Sequence, residues 1–343
     1  MIKSSKNNLP KNNLPKNNLI DSFHRPVNYL RISVTDRCNL RCRYCAPSMP
    51  KPLKKDNILS FEEMYRLVRT GVKLGITKVR LTGGEPLFRK GITDFIKRLH
   101  NLPGIDDISL TSNGTLVADK VKSLKQAGLK RINISLDTLD RNKFRHLTGA
   151  DLFPQVFKGI MLAYEAGFSP VKINMVVMKG FNDNEIEKLA ELALNFPFHI
   201  RFIEYMPIGT DPFLAEKFFL PVSEIKKRLS SLGTLIPVSS EKTDGPAERY
   251  CIGNSPGELG FIGSMSTHFC STCNRIRLTA GGYLRPCLLS EEQVDIMTPL
   301  RNRAKDYDIQ ALFIRALSKK RDKHKLNFSG NQVLPTKMVS IGG

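Results

Sequence analysis

Cys38-Asn39-Leu40-Arg41-Cys42-Arg43-Tyr44-Cys45 places three thiols within eight residues, spaced three then two. The loop opens with Thr35-Asp36-Arg37, directly after a strand-like run from Tyr29 to Val34. Three cysteinates can hold three irons of a cubane. A [4Fe-4S] cluster normally takes four Cys thiolates, so three with no fourth nearby leave one iron open to a non-protein ligand. The competing reading is a structural zinc loop, but such sites close tetrahedrally with four Cys or His ligands, often as CxxC pairs. The nearby His24 is poorly placed to complete that set.

Outward from this loop, apolar strand-like runs alternate with helical patterns, which predicts βα units and a parallel sheet. The runs begin near Tyr29, Thr77, Asp107, Arg131, Val171 and His199. The first intervening helix carries the capping box Ser60-Phe61-Glu62-Glu63 and an apolar face at Met64, Leu67, Val68 and Val72 before Gly75. Later helices follow from Ile92, Phe95, Ile96 and Leu99, from Val121 and Leu124, and from Val156, Ile160 and Ala163. A barrel of βα units carries its functional residues after the C-terminal ends of the strands, where the cysteine loop stands. The second strand ends in Thr82-Gly83-Gly84-Glu85-Pro86, where paired glycines let backbone approach a ligand and Glu85 offers an acceptor to an ammonium. The other ends are Thr111-Ser112-Asn113-Gly114, Ser135-Leu136-Asp137 and Arg201-Phe202-Ile203-Glu204-Tyr205-Met206-Pro207. Singly, such turns are more often structural than ligand-binding. Their common register with one metal loop makes them candidates.

Beyond Pro207 the alternation decays. A helix is expected from Ser223 to Leu232, followed by a Ser/Gly/Pro-rich region and a second cysteine group, Cys270-Ser271-Thr272-Cys273 and Cys287. Again there are three thiols without a fourth. Arg275, Arg277 and Arg285 lie between or beside them, and arginines next to an open iron suit an anionic substrate. Zinc stays open here, because Cys251 or His268 could complete a tetrahedral set. Otherwise Cys251 reads as a small apolar core residue.

The chain has 343 residues and a formal charge of +21, which attracts nucleic acid, a membrane surface or a polyphosphate without choosing among them. Part of that charge is uninformative. Lys3, Lys6, Lys11 and Lys16 lie in a tail, and Lys319, Lys320, Arg321, Lys323 and Lys325 form a run that reads as solvated surface. Residues 6–19 repeat Lys-Asn-Asn-Leu-Pro, whose single apolar residue builds no core, so residues 1–20 are expected to be disordered. The remainder divides into a barrel over 21–220 and a C-terminal region over 221–343. No apolar run approaches a membrane span and no signal-peptide core is visible. Seven cysteines, six of them in two tight groups, suit metal ligation in a reducing compartment, and the expectation is cytoplasmic.

The CxxxCxxC loop with an aromatic residue before its last Cys resembles the radical S-adenosylmethionine (SAM) superfamily. Together with TGGEP, TSNG, NISLD, VKIN, RFIEYMP, CSTCNRIRL, LRPC and the terminal Ile341-Gly342-Gly343, it is similar to the GTP 3',8-cyclases, lyases that open molybdenum cofactor biosynthesis. The resemblance implies an α/β fold: an incomplete (β/α)6 TIM-like barrel closed at one side by a C-terminal region that carries a second Fe-S cluster. It implies two [4Fe-4S] clusters and SAM, with Cys38, Cys42 and Cys45 on the first cluster and Cys270, Cys273 and Cys287 on the second. Tyr44, Gly84, Ser135 and Met206 would contact SAM. Arg31, Arg80, Thr111, Lys172, Arg275, Ile276 and Arg277 would bind GTP. No catalytic side chain is implied beyond these sites. SAM would yield methionine and a 5'-deoxyadenosyl radical that takes hydrogen from ribose C3' of GTP, and attack on guanine C8 would give 3',8-cyclo-7,8-dihydroGTP. The terminal glycines, lacking side chains, could thread into the cavity. The implied partners are an electron donor, a second copy of the chain, and cyclic pyranopterin monophosphate synthase as recipient of the product, with neither membrane nor nucleic acid. The alternative is a radical SAM peptide-modifying enzyme with an auxiliary cluster.

Overall fold

The computed structural model describes residues 19–45, 51–209, 212–239, 245–326, 328, 334 and 336–342, except the side chains of 212–214. Six strands, β1 (Tyr29–Ser33), β2 (Lys78–Thr82), β3 (Asp107–Ser112), β4 (Arg131–Ser135), β5 (Val171–Val177) and β6 (Phe198–Glu204), lie side by side in chain order, each parallel to the next. The crossovers carry α1 (Phe61–Lys73), α2 (Ile92–His100), α3 (Val117–Gln126), α4 (Arg141–Thr148), α5 (Phe153–Glu165) and α6 (Ile186–Asn195). The capping box of α1 forms as expected, with Ser60 and Glu63 each accepting from the other's backbone N–H. That helix ends just before Gly75, whose φ of +96° is a left-handed value glycine adopts without strain.

Side chains alternate across each strand, and the alternation decides what the barrel can do. Leu30, Ile32, Val79, Leu81, Ile108, Leu110, Ile132, Ile134, Ile173 and Ile200 are buried in one cluster with the apolar stripes of the helices. The intervening positions supply Arg31, Arg80, Thr111, Ser135, Asn174 and Arg201, which all line one internal cavity. Strand register aligns them: Arg31 lies opposite Arg80, Ser135 opposite Asn174, and Asn174 opposite Arg201.

The chain after β6 extends the sheet at both edges. It forms α7 (Pro212–Phe218), α8 (Val222–Leu229), β7 (Leu235–Pro237), β8 (Glu248–Ile252) and β9 (Glu258–Ile262), and β9 runs parallel to β6. It then crosses to β10 (Arg275–Leu278), parallel to β1, and continues through β11 (Tyr283–Arg285), β12 (Val294–Asp295), α9 (Met297–Arg301), α10 (Asp306–Ser318) and α11 (Met338–Ile341). One sheet results, in the order β12-β11-β10-β1-β2-β3-β4-β5-β6-β9-β8-β7, an open barrel whose last strands come from the C-terminal region. Fully buried Glu204, at the end of β6, ties that region down by accepting the N–H groups of Val222, Met265 and Ser266 at 2.9, 2.7 and 3.0 Å.

Three expectations are corrected. The tail expectation over residues 1–18 lies outside the described residues, but Leu19 belongs to the main core at 5 % exposure and donates its N–H to Leu74 O at 2.9 Å. The helix expected over Ser223–Leu232 is α8 followed by a 3-10 turn at Ser230–Leu232. Cys251 is half-buried on β8, near the sheet edge, with Sγ 3.7 Å from Ile236 O, because it lies on the strand face opposite its neighbours Tyr250 and Ile252, which pack on the core. No described helix is long and apolar enough to cross a membrane.

Candidate active site between two cysteine loops

The first cysteine loop is held by the glycine pair after β2. A Cβ on Gly83 would stand 2.7 Å from Thr35 O, and one on Gly84 would stand 2.2 Å from Arg37 O. Only glycine allows that approach, through which Gly84 N donates to Thr35 O at 2.7 Å and Glu85 N to Arg37 O at 2.8 Å. Backbone of the cysteine loop therefore takes the space expected for a ligand, although both glycines still line the cavity. Glu85 also departs from expectation. Its carboxylate is fully buried and accepts from Leu87 N at 3.0 Å, Ser112 Oγ at 2.9 Å and Asn113 N at 2.7 Å, so it braces the loop instead of facing a ligand's ammonium. Burial pushes that carboxyl up to about 7. Asn113 in turn donates to Asn39 Oδ1 at 2.9 Å and towards Cys38 Sγ at 3.7 Å.

The Tyr44 side chain turns inward, where its hydroxyl donates to Asp137 Oδ2 at 2.9 Å while Asp137 Oδ1 accepts from Val176 N at 2.8 Å. Burial holds Asp137 up to about 6 and raises the Cys42 thiol. Cys45 is pushed up to about 12 by burial and by Cys38 beside it. Protons on such buried thiols leave when a cation takes their place.

The second loop is electrostatically different. Burial raises the Cys273 thiol, but Arg275 and Lys320 outweigh it and bring it down to about 6. Arg25, buried and paired with Asp21 at 2.6 Å, donates to Cys270 O at 2.7 Å. The C-terminal basic run is thus not all solvated surface: Lys320 is 4 % exposed, its Nζ 3.4 Å from Cys273 Sγ and 2.6 Å from Arg275 O.

Both cysteine trios line one cavity of about 310 Å³, together with Arg31, Arg80, Arg201, Arg275 and Arg277. Tyr44, Gly84, Thr111, Ser135 and Met206 line it too, so most of the expected contacts converge. Lys172 and Ile276 do not. Lys172 is buried on β5 opposite His199, farther back along the strand than Asn174, and the Ile276 side chain points into the outer core. Arg285 does not line the cavity either, because it is turned onto its own loop through Ser290 O and Gln293 Oε1. Burial holds the Arg31 guanidinium well below its usual range, with Arg277 the next cause. Asp137 is the one carboxylate among the described residues of the wall. Such a wall suits a polyanion.

The donor sets fit clusters better than single ions. Neither cysteine trio brings its sulfurs all within 4.8 Å of one another, as one tetrahedral zinc requires. The described group that does so is His268, Cys270 and His324, so His268 does not complete a zinc site with the three cysteines. On the wall, Thr111 Oγ1 and Asn174 Oδ1 are buried without a hydrogen-bond partner, leaving polar atoms for a ligand. Arg201 and Asn174, like Asp137 and His324, are assigned to neither SAM nor GTP by the sequence, although Arg201 and Asp137 stand in the candidate strand-end segments. The first two carry a usable signal: polar residues at alternate positions of otherwise apolar strands.

The C-terminus enters this site. Gly342, at φ +68°, sits where a Cβ would be 2.6 Å from Thr82 Oγ1 and 2.8 Å from Ser33 Cβ, and its carbonyl accepts from Arg277 at 3.0 Å. Gly343 lies outside the described residues.

Two family models match, the Radical SAM superfamily over residues 32–193 and Molybdenum Cofactor Synthesis C over residues 198–326. Among solved structures, Streptococcus suis SuiB bound to precursor peptide SuiA superposes with TM-score 0.62 at 15 % identity, over 86 % of this chain and 67 % of that one. Hexahistidine-tagged anSMEcpe with bound AdoMet gives 0.57 at 18 % identity, over 88 % and 79 %. At those identities the likeness is one of fold. In sequence, the GTP 3',8-cyclase of Thermodesulfovibrio yellowstonii is 51 % identical over 87 % of this chain and 92 % of its own length. That of Moorella thermoacetica is 47 % identical over 94 % of this chain and 99 % of its own. With both cysteine trios and the arginine wall between them, the chain belongs to the GTP 3',8-cyclase family of radical SAM proteins.

Proposed function

We propose that this chain converts GTP to 3',8-cyclo-7,8-dihydroGTP, the first step of molybdenum cofactor biosynthesis, using SAM and two [4Fe-4S] clusters. The observation that carries the proposal is the single cavity lined by two separate cysteine trios and five arginines. Cys38, Cys42 and Cys45 hold the first cluster, and Cys270, Cys273 and Cys287 the second. When bound, the first cluster and SAM supply the 5'-deoxyadenosyl radical.

The protein's part is position, charge and exclusion. Tyr44, Gly84, Ser135 and Met206 meet SAM around the first loop, with Asp137 fixing the Tyr44 ring. Arg31, Arg80, Arg275 and Arg277, with the Thr111 hydroxyl, hold the triphosphate and nucleoside so that ribose C3' lies in reach. Lys172 contributes charge from behind the wall, while Ile276, anchored in the outer core, sets its neighbours Arg275 and Arg277 toward the cavity. The cations crowd one another until an anion arrives, which favours binding of GTP over a nucleoside. The reading further includes a one-electron donor, a homodimer, transfer of product to cyclic pyranopterin monophosphate synthase, and a reducing, cytoplasmic setting for the free cysteines. It also treats 21–220 as the radical SAM partial barrel and 221–343 as the region that adds the second cluster, within one sheet. Anaerobic reconstitution should give about eight irons per chain. With SAM, GTP and dithionite it should then yield the cyclised nucleotide. About four irons, or 5'-deoxyadenosine without a nucleotide product, would contradict the proposal.

A further inference from the structure

Lys320 belongs to no wall of the main cavity. It lies behind the second cysteine trio, in a separate cavity of about 480 Å³ that Cys270, Cys273 and Cys287 share with Arg25. Its ammonium is buried, and among the described residues no carboxylate pairs with it; its partners are the Cys273 sulfur at 3.4 Å and Arg275 O at 2.6 Å. A buried charge is costly unless it is paired, so a lysine kept here needs a thiolate opposite. The placement is built. Arg25, itself fixed by Asp21, donates to Arg321 O at 2.6 Å, Asp322 O at 3.0 Å and Cys270 O at 2.7 Å, stitching the segment that carries Lys320 to the loop that carries Cys273.

We propose that Lys320 is a positioning residue that sets the reduction potential of the second cluster through its hydrogen bond to Cys273, with Arg25 holding it there. The inference rests on the reading that Cys270, Cys273 and Cys287 hold a cluster. Reduction adds one negative charge to a group already ligated by thiolates. Hydrogen bonds to the sulfurs and nearby charge are the means by which a protein shifts such potentials. A fixed ammonium against one sulfur stabilises the reduced form, and a neutral residue there does not.

The test uses the full-length chain carrying Cys38→Ala, Cys42→Ala and Cys45→Ala, so that only the second cluster contributes. Its iron is counted, and its reduction is followed by anaerobic titration with electron paramagnetic resonance. Lys320→Met and Lys320→Gln should each keep the iron and make reduction at least about tenfold less favourable, a fall of about 59 mV for one electron. Lys320→Arg should recover most of it. An unchanged potential in the Met and Gln variants, with iron retained, overturns the proposal. Loss of iron in all three makes Lys320 a requirement for assembly and also overturns it. If Met alone loses iron, the potential of the Gln variant decides. An iron-free parent would instead refute the cluster reading on which the inference rests.

Discussion

Replacing Gly84 with Ala tests how the first cysteine loop is held. The added Cβ would stand 2.2 Å from Arg37 O, 2.5 Å from Arg37 C and 3.0 Å from Asp36 O, all backbone atoms that no rotamer change can move. Reaching an ordinary 3.4 Å contact requires a retreat of about 1.2 Å by the segment that leads directly into Cys38. That retreat breaks the bonds from Gly84 N to Thr35 O and from Glu85 N to Arg37 O. Each backbone bond contributes about 0.5–1.5 kcal/mol net, and overpacking adds about 1–3 kcal/mol. The total is roughly 2–6 kcal/mol, concentrated on one loop. Gly84→Ala should retain only about four of about eight irons after anaerobic reconstitution, and should make 5'-deoxyadenosine at least about a hundredfold more slowly. GTP binding by calorimetry should stay within about threefold, since the arginine wall is untouched. The iron count separates this cause from a lost SAM contact, which would leave both clusters in place. Full iron with a wild-type rate of SAM cleavage would refute the reasoning.

Arg275→Ala and Arg277→Ala each remove a charge-assisted contact, of about 1.5–3 kcal/mol, and should weaken GTP binding about ten- to a hundredfold with iron content unchanged; unchanged calorimetric affinity in both would remove them from the binding site. Deleting residues 1–18 should leave the melting temperature in place. A deletion through Asp21 should lower it clearly, by exposing the Leu19 site, about 1.5–3 kcal/mol, and stranding the buried Arg25; equal melting of the two truncations would sink this. Asp137 has its folded value raised to about 6 from 3.8, so its stabilising contribution is complete below about pH 4 and is lost as pH rises through 6. Cluster-free wild type should therefore lose stability relative to Asp137→Asn over that window, by up to about 3 kcal/mol, and parallel pH profiles in urea unfolding would contradict it.

Much of the barrel is legible because its signals are local. Strands β1, β3, β4 and β5 begin at the residues where their apolar runs begin, and β2 and β6 within one residue. The glycine stops and the α1 capping box likewise depend on nearest neighbours. Helix α4 escapes the sequence pattern although Asp140 caps it through Asn142 N and Lys143 N, because in its eight residues only Phe144 and Leu147 mark an apolar face. Strand β10 is not legible as part of the barrel: four residues, Arg-Ile-Arg-Leu, pair with β1 about 246 positions away, and no local pattern announces such a partner. The same limit explains the charged residues. Lys320 looks like its neighbours Lys319 and Arg321 until the segment after α10, stitched down by Arg25, places it against Cys273. Glu85 reads as a ligand group until Ser112 and Asn113, from the end of the adjoining strand, take up its oxygens.

The most direct test follows one hydrogen atom. If the two clusters face one GTP across the arginine wall, the reconstituted chain given SAM, dithionite and GTP deuterated at ribose C3' should release 5'-deoxyadenosine carrying that deuterium, alongside the cyclised nucleotide. Mass spectrometry of the deoxyadenosine reads the outcome. Deoxyadenosine formed at the full rate without deuterium, with GTP recovered unchanged, would show that this cavity does not present C3' to the radical and would contradict the account.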